Sequence, residues 1–357
     1  MKHTFTNTKV LYLGFNNMLK HKRGVENVID FQSKASPSSM NYYIHWDDTT
    51  SVYKYKDFLC VGIKNNFLGF IVLNWFVSKI KRKKKSVFIH SHNPLMSLFC
   101  LFQTNLLTVH DALYYQNKAV GHQLKALFYP LEKILYSRVK FVHFISHYTK
   151  NMSLFSDSKN FKIIHNTSHL ETYNLNNSQT KKNVEFDPTK IKVLVVRGIE
   201  ERSRIDLVIQ VAEELKASNF EILIAGKGPL FDFYKNVIQK LNLKNIKLIG
   251  YINEEMLTNY YLACDIVLMP AEYAEGFGLP IIEGYFFNKP VIASNRCAIP
   301  EVIISKEFLF ENTVEDVIKK LEFAQHKQVG TYKEMYMTKF SNAFIVSQFK
   351  TLYKTLM

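Results

Sequence analysis

Two carboxylates eight residues apart, Glu275 and Glu283, frame the string Glu-Gly-Phe-Gly-Leu-Pro-Ile-Ile-Glu-Gly. Gly276 and Gly278 allow close backbone approach and positive φ. Pro280 suits the first position of a helix, where its missing N–H would have no partner in any case. The string reads as a tight loop delivering backbone N–H groups at a helix N-terminus, a setting that favours phosphate or another anion. Glu283 falls in the first turn or so of that helix and Glu275 in the loop before it, so both can accept hydrogen bonds from the hydroxyls of one ligand. A glycine turn with one Glu complementing the helix dipole would look similar. The strand ending at Met269-Pro270 before the string, and Lys-Pro-Val-Ile-Ala-Ser after it, make the pattern far more specific.

The elements that must position this loop alternate along the chain. Apolar, β-branched runs at Val10–Phe15, Phe58–Ile63, Ser86–His90, Leu106–His110, Phe141–Ser146 and Lys162–His165 predict strands buried on both faces of a parallel sheet. A second series follows at Ile191–Arg197, Glu221–Ala225, Ile246–Ile249, Asp265–Met269 and Val291–Ser294. Helices fall between: Ile205, Val208, Ile209, Ala212 and Leu215 share one helical face, and Asn253 is placed to cap a helix over Glu254–Ala263. The polar stretch 171–190 reads as a linker. The expected fold is α/β, with two Rossmann-like, doubly wound domains facing a cleft at their strand ends.

Charge separates the two halves. The 357 residues carry 46 Lys+Arg against 31 Asp+Glu, and residues 1–170 alone hold 23 basic and 8 acidic side chains, which accounts for the whole formal charge of +15. Apolar content of 47% excludes a disordered chain. Cys60, Cys100, Cys264 and Cys297 are too scattered for a disulfide framework or a zinc site. Phe67–Val77 is too short to span a bilayer, which takes about 20 apolar residues. It runs straight into Lys79, Lys81, Arg82, Lys83, Lys84 and Lys85, which fits either a helix lying on an anionic membrane or a buried helix with a solvated basic end. The first residues lack the apolar core of a signal peptide. No nucleic-acid-binding motif accompanies the charge.

From Glu275 to Glu283 the sequence resembles the two-glutamate signature of retaining GT-B glycosyltransferases of family four, the glycosyl transferases group 1. The resemblance runs through Ala225-Gly226-Lys227-Gly228-Pro229, Ile249-Gly250-Tyr251, Tyr261 to Pro270 and Pro290 to Ser294. It implies that Glu283 binds the ribose of a donor nucleotide, that Tyr251 lies by the base, and that Glu275 with the amides of Gly276, Phe277, Gly278 and Leu279 holds the sugar and diphosphate. The family's Gly-Arg and Lys-Gly are replaced by Arg197-Gly198-Ile199-Glu200-Glu201-Arg202-Ser203-Arg204, with Ser203 in the lysine's place. Arg202 is the expected diphosphate ligand, followed by Arg197 and Arg204, with Lys227 a further candidate. Thr108-Val109-His110-Asp111 resembles the family's strand-end His-Asp, placing His110 beside the donor sugar; His110, Glu275 and Arg202 are the expected catalytic groups. Arg23, Gly24, His90 and His92 are expected on the acceptor side. His90 and His92 have a metal-like spacing but no third ligand, and Asp47-Asp48 reads as a turn, so no metal is expected.

The combined expectation is a metal-independent, retaining glycosyltransferase with no cofactor, using a UDP-, GDP- or ADP-sugar and a lipid-linked glycan acceptor of bacterial surface polysaccharide. It would be cytoplasmic, peripheral on the inner face of the plasma membrane through an acceptor domain over residues 1–170. A donor domain would cover 191–335, and a closing helix over 336–357 would return to the first domain. A GT-B sugar-nucleotide epimerase or phosphorylase, or a non-catalytic membrane- or polyanion-binding module, are the competing readings.

Overall fold

A computed structural model describes residues 8–20, 24–84, 86–115, 125–173, 184–327 and 331–357. The chain divides into two compact units, Met1–Asn166 with Asn342–Met357, and Thr167–Ser341.

The first unit is built on β1 (Lys9–Leu13), β2 (Asn41–Asp47), β3 (Ser51–Tyr55), β4 (Phe58–Lys64), β5 (Val87–Ser91), β6 (Thr104–Val109), β7 (Val139–Phe144) and β8 (Asn160–Ile163). They form one sheet in the order β3-β4-β2-β1-β5-β6-β7-β8, parallel except where β3 pairs antiparallel with β4. Side chains alternate across β1, so its two faces feed two cores. Val10 and Tyr12 pack with Ile345, Phe349 and Tyr353 of the helix Asn342–Leu356, whereas Leu11 and Leu13 pack with Leu73, Val77 and Ile80 of the helix Gly69–Lys83. Strands β2 and β3 escape the apolar-run criterion: β2 is rich in Tyr, His and Asn, and β3 is a half-exposed edge strand.

The returning helix begins at Asn342, not at residue 336. Tyr336 sits instead in the helix Thr331–Lys339 of the second unit, where its hydroxyl donates to Glu171 at 2.7 Å. The first unit ends at Asn166 rather than at residue 170, and residues 167–341 form the second. The helix Asn342–Leu356 is fastened to the first sheet by a polar seam. Tyr353 Oη is 2.9 Å from Tyr12 Oη and 2.7 Å from His90 Nδ1. His90 Nε2 meets Thr108 Oγ1, which meets His143 Nδ1, and His143 Nε2 ends the chain of contacts on the Ile164 carbonyl.

The second unit carries β9 (Ile191–Val196), β10 (Phe220–Ala225), β11 (Ile246–Gly250), β12 (Ile266–Met269), β13 (Val291–Ser294) and the two-residue β14 (Leu309–Phe310). All pairings are parallel, in the order β11-β10-β9-β12-β13-β14. The order reverses between β9 and β12, and ligands of such sheets bind beyond the strand ends at that reversal. Asn253 caps the helix Glu254–Ala263, its side chain accepting from the Met256 amide at 2.8 Å.

Burial holds His143 down at about 4 and His110 at about 3, and it pushes His90 and His92 well below the usual histidine range, with neighbouring histidines adding to the effect. Unfolded, each binds a proton near pH ~6.5. The unfolded chain therefore holds more protons below that pH, and stability falls on acidification by up to about 1.4 kcal/mol per pH unit for each histidine. Urea unfolding should give a markedly lower midpoint near pH ~5 than near pH ~7. An unchanged midpoint would contradict the neutral seam.

Candidate active site

At the strand reversal of the second unit, Arg197 directly follows β9, and β12 leads through Pro270 to the loop holding Glu275. The Arg197 amide extends the sheet by donating to the Ala225 carbonyl at 3.0 Å, and Ile199 N–H donates to the Lys227 carbonyl at 3.0 Å. This close approach is why Gly226 must be glycine: its φ is +152°, and a Cβ there would stand 1.8 Å from the Arg197 carbonyl oxygen. Gly278, at φ +95°, turns the chain into the helix Leu279–Phe286, and a Cβ would press on Ile281 and Met269. Leu279 is the first helical residue and Pro280 the second, one position later than expected.

The side chains converge on one contact. Arg197 Nη1 donates to Glu275 Oε2 at 2.6 Å, while Arg197 Nε and Nη2 are buried and have no partner among the described residues. Burial raises the Glu275 carboxyl, but the charge and hydrogen bond of Arg197, the charge of Arg202 and the Phe277 amide outweigh it and bring it below the usual range. Glu283 has the opposite balance. Burial raises it, and the hydroxyls of Tyr261 (2.8 Å) and Ser168 (3.5 Å), with the nearby His169, offset that only in part. Ser168 lies in a segment that was expected in the first domain, and Tyr261 in a string carrying only family resemblance, so neither declared itself as a partner of Glu283.

The other arginines are engaged differently. Arg202 donates to the Ala274 carbonyl at 2.7 Å and to Glu200 at 3.2 Å, which braces the loop ahead of Glu275. Arg204, in a left-handed conformation at φ 50°, pairs with Asp206 and Glu272. Glu272 also accepts from Asn312 at 2.8 Å. Ser203, in the lysine's place, is buried. The Lys227 side chain and Tyr251 are exposed.

In the first unit, His92 and His110 follow β5 and β6, and His92 Nδ1 lies 2.9 Å from His110 Nε2. His90 does not line an acceptor surface: it is fully buried, with Tyr353 and Thr108 occupying both ring nitrogens. Gly24 opens the helix Gly24–Ser33, and Arg23 lies outside the described residues. Asp47 ends β2 and accepts from Asn17 and Lys20. No group of three or more His, Cys, Asp or Glu suited to a metal occurs among the described residues.

Residues 176–339 match the family model of the glycosyl transferases group 1. That stretch is therefore similar to a glycosyl transferases group 1 domain. An uncharacterized 41.2 kDa protein in the cps region of Klebsiella pneumoniae is 24% identical to this chain over 312 residues, 85% of this chain and 80% of its own. The O-antigen chain mannosyltransferase B of Escherichia coli is 41% identical over 58 residues, 16% of this chain and 15% of its own. Sucrose-phosphate synthase from Thermosynechococcus elongatus superposes with a TM-score of 0.80 at 17% identity, covering 98% of this chain and 99% of its own. Anabaena Alr3699/HepE, solved with UDP and glucose, gives 0.76 at 16% identity over 98% and 99%. The chain has the GT-B fold.

Removing Arg197 strands a buried carboxylate, so Arg197→Ala should lower unfolding free energy by about 3–5 kcal/mol. Adding Glu275→Gln should recover part of that loss. A single variant as stable as wild type in denaturant titration would refute the pairing. Because the raised Glu283 disfavours the folded state once it ionises, wild type loses ground to Glu283→Gln as pH rises through and above the usual carboxylate range. The Tm difference, variant minus wild type, should therefore grow from acid to neutral pH, and a flat difference would contradict the assignment.

Proposed function

We propose that this protein is a glycosyltransferase that moves a sugar from a nucleoside-diphosphate donor to a hydroxyl of a lipid-linked glycan in bacterial surface polysaccharide synthesis, with retention at the anomeric carbon. The observation that carries the reading is Arg197, which pairs with Glu275 through Nη1 and keeps Nε and Nη2 buried and unpartnered at the strand reversal. Two parallel guanidinium donors match two oxygens of a diphosphate. Arg197 thus takes first place as diphosphate ligand. Arg202 holds the loop through Ala274, and Arg204 belongs to the Asp206–Glu272 cluster.

The chemistry follows from charge. Departure of the nucleoside diphosphate builds negative charge, which Arg197 and the amides between Gly276 and Leu279 stabilise without reorganising. Glu275, kept anionic by Arg197, accepts hydrogen bonds from the sugar hydroxyls, and Glu283 does so from the ribose. Tyr251 lies by the base. His110, neutral at pH ~7, contributes a hydrogen bond to the sugar without adding a cation. The leaving phosphate acts as base toward the acceptor hydroxyl on the same face of the sugar.

The relatives in a cps region and in O-antigen chain synthesis support the polysaccharide role, and a lipid-linked acceptor places the enzyme peripherally on the inner membrane face. No helix among the described residues is long and apolar enough to cross a membrane. UDP, bound by the structurally similar Anabaena protein, is the first donor base to try, ahead of GDP and ADP. A cognate donor at a hundredfold excess over its Kd adds about 2.7 kcal/mol of stability. Thermal shift against the three sugar nucleotides should single out one base, and Arg197→Ala should abolish its shift while Arg204→Ala retains it. A full shift in Arg197→Ala would sink the diphosphate assignment.

A further inference from the structure

We propose that the outer face of the helix Gly69–Lys83, with the turn after the helix Pro94–Phe99, is the surface on which the first unit docks to an anionic lipid bilayer. The proposal rests on the membrane-acceptor reading for its purpose alone; its evidence is the surface itself. Ile71 and Trp75 stand four apart on one line of the helix, and Phe67 and Leu68 lie in the turn that leads into it. Phe67 is 83% exposed and Trp75 52%, with Leu68 and Ile71 equally open between them. The opposite face is already spent on the core through Leu73, Val77 and Ile80. The helix is thus apolar on two sides, and packing explains only one.

The neighbouring turn widens the patch. Asn74 accepts from the Leu101 amide at 2.7 Å and donates to the Phe99 carbonyl at 3.0 Å, and the Phe99 ring lies 4.3 Å from that of Phe70. This brings Leu101, 76% exposed, beside the helix. Isolated exposed apolar residues are ordinary, but a contiguous set of this size marks an interaction surface.

Charge selects the partner. Lys79 Nζ sits 4.6 Å over the Trp75 ring, Lys83 follows four residues on along the same line, and Lys81 and Arg82 are exposed beside it in the last turn. From Asp57 to Asp111 the intervening chain contains not one carboxylate and seven Lys or Arg. An apolar stripe of Phe, Leu, Ile and Trp flanked by cations is the composition of a helix lying at a lipid interface, its cations facing anionic headgroups. Topology gives the contact its use. Because β4 ends at Lys64, Phe67 and Leu68 lie at the same edge of the sheet as His92 and His110, which follow β5 and β6. A bilayer under this patch would hold a lipid-anchored acceptor at that edge.

The test is vesicle cosedimentation of the full-length protein, with phosphatidylcholine vesicles against phosphatidylcholine–phosphatidylglycerol vesicles. Binding should require the anionic lipid and weaken with salt. Phe67→Ser/Ile71→Ser/Trp75→Ser and Lys81→Glu/Arg82→Glu/Lys83→Glu should each lower it by about tenfold or more. In a Trp46→Phe background, Trp75 fluorescence should shift to the blue on binding and be quenched by brominated lipid. Both surface variants should keep the wild-type thermal shift with donor, which shows that they fold. Variants that bind vesicles as wild type does, or an unquenched Trp75, would overturn the proposal. So would concentration-dependent dimerisation that the apolar variant abolishes, because the face would then belong to a second copy. Donor binding is scored separately, so an absent donor shift with intact, patch-dependent vesicle binding would overturn the function and leave the docking face standing.

Discussion

Arg197 and Glu275 meet where the strand order of the second unit reverses, and the surrounding backbone is arranged to permit that contact. A buried carboxylate is costly unless a cation stands against it, and the cation is equally costly alone. The two come from distant segments, so β9 and the loop after β12 must be held in register for either charge to be tolerated. Gly226 lets β10 close on the Arg197 carbonyl, Gly278 turns the loop into its helix, and Arg202 secures the Ala274 carbonyl just before Glu275. Arg197 still keeps Nε and Nη2 buried without a partner among the described residues.

The two glutamates of one short string have opposite electrostatics. Glu275 faces arginine and is favoured as an anion, whereas Glu283 is buried among hydroxyls and is disfavoured as one. The first unit extends the same logic with uncharged groups: His90, Thr108 and His143 carry a hydrogen-bonded seam through its interior, and Tyr353 of the last helix closes it. The C-terminal helix is therefore fixed by polar specificity as well as by Ile345 and Phe349.

Much of this was legible because certain residues carry local backbone requirements. The glycines and proline of the Glu275–Glu283 string announce a loop entering a helix, and Asn253 announces a cap, with no knowledge of tertiary contacts. Buried parallel strands are equally plain as apolar runs. Strands β2 and β3 were not, since the buried polar Asn41 and His45 break the run in β2, β3 is a half-exposed edge strand, and β14 has only two residues. The ranking of arginines was not legible either. Spacing put Arg202 at the lysine's neighbour, but which guanidinium reaches the strand reversal depends on where β9 stops and how the next turn folds.

The sequence by itself determined two α/β halves, the glycine loop at a helix start, the paired glutamates and the basic bias of the first half. Each of these follows from composition or short-range stereochemistry. Only the tertiary structure decided that Arg197 is the partner of Glu275, that His90 is core, that the chain changes unit at Asn166 and Asn342, and that Phe67, Ile71 and Trp75 face outward. Those outcomes depend on desolvation and packing between segments far apart in the chain, and linear spacing carries no information about either.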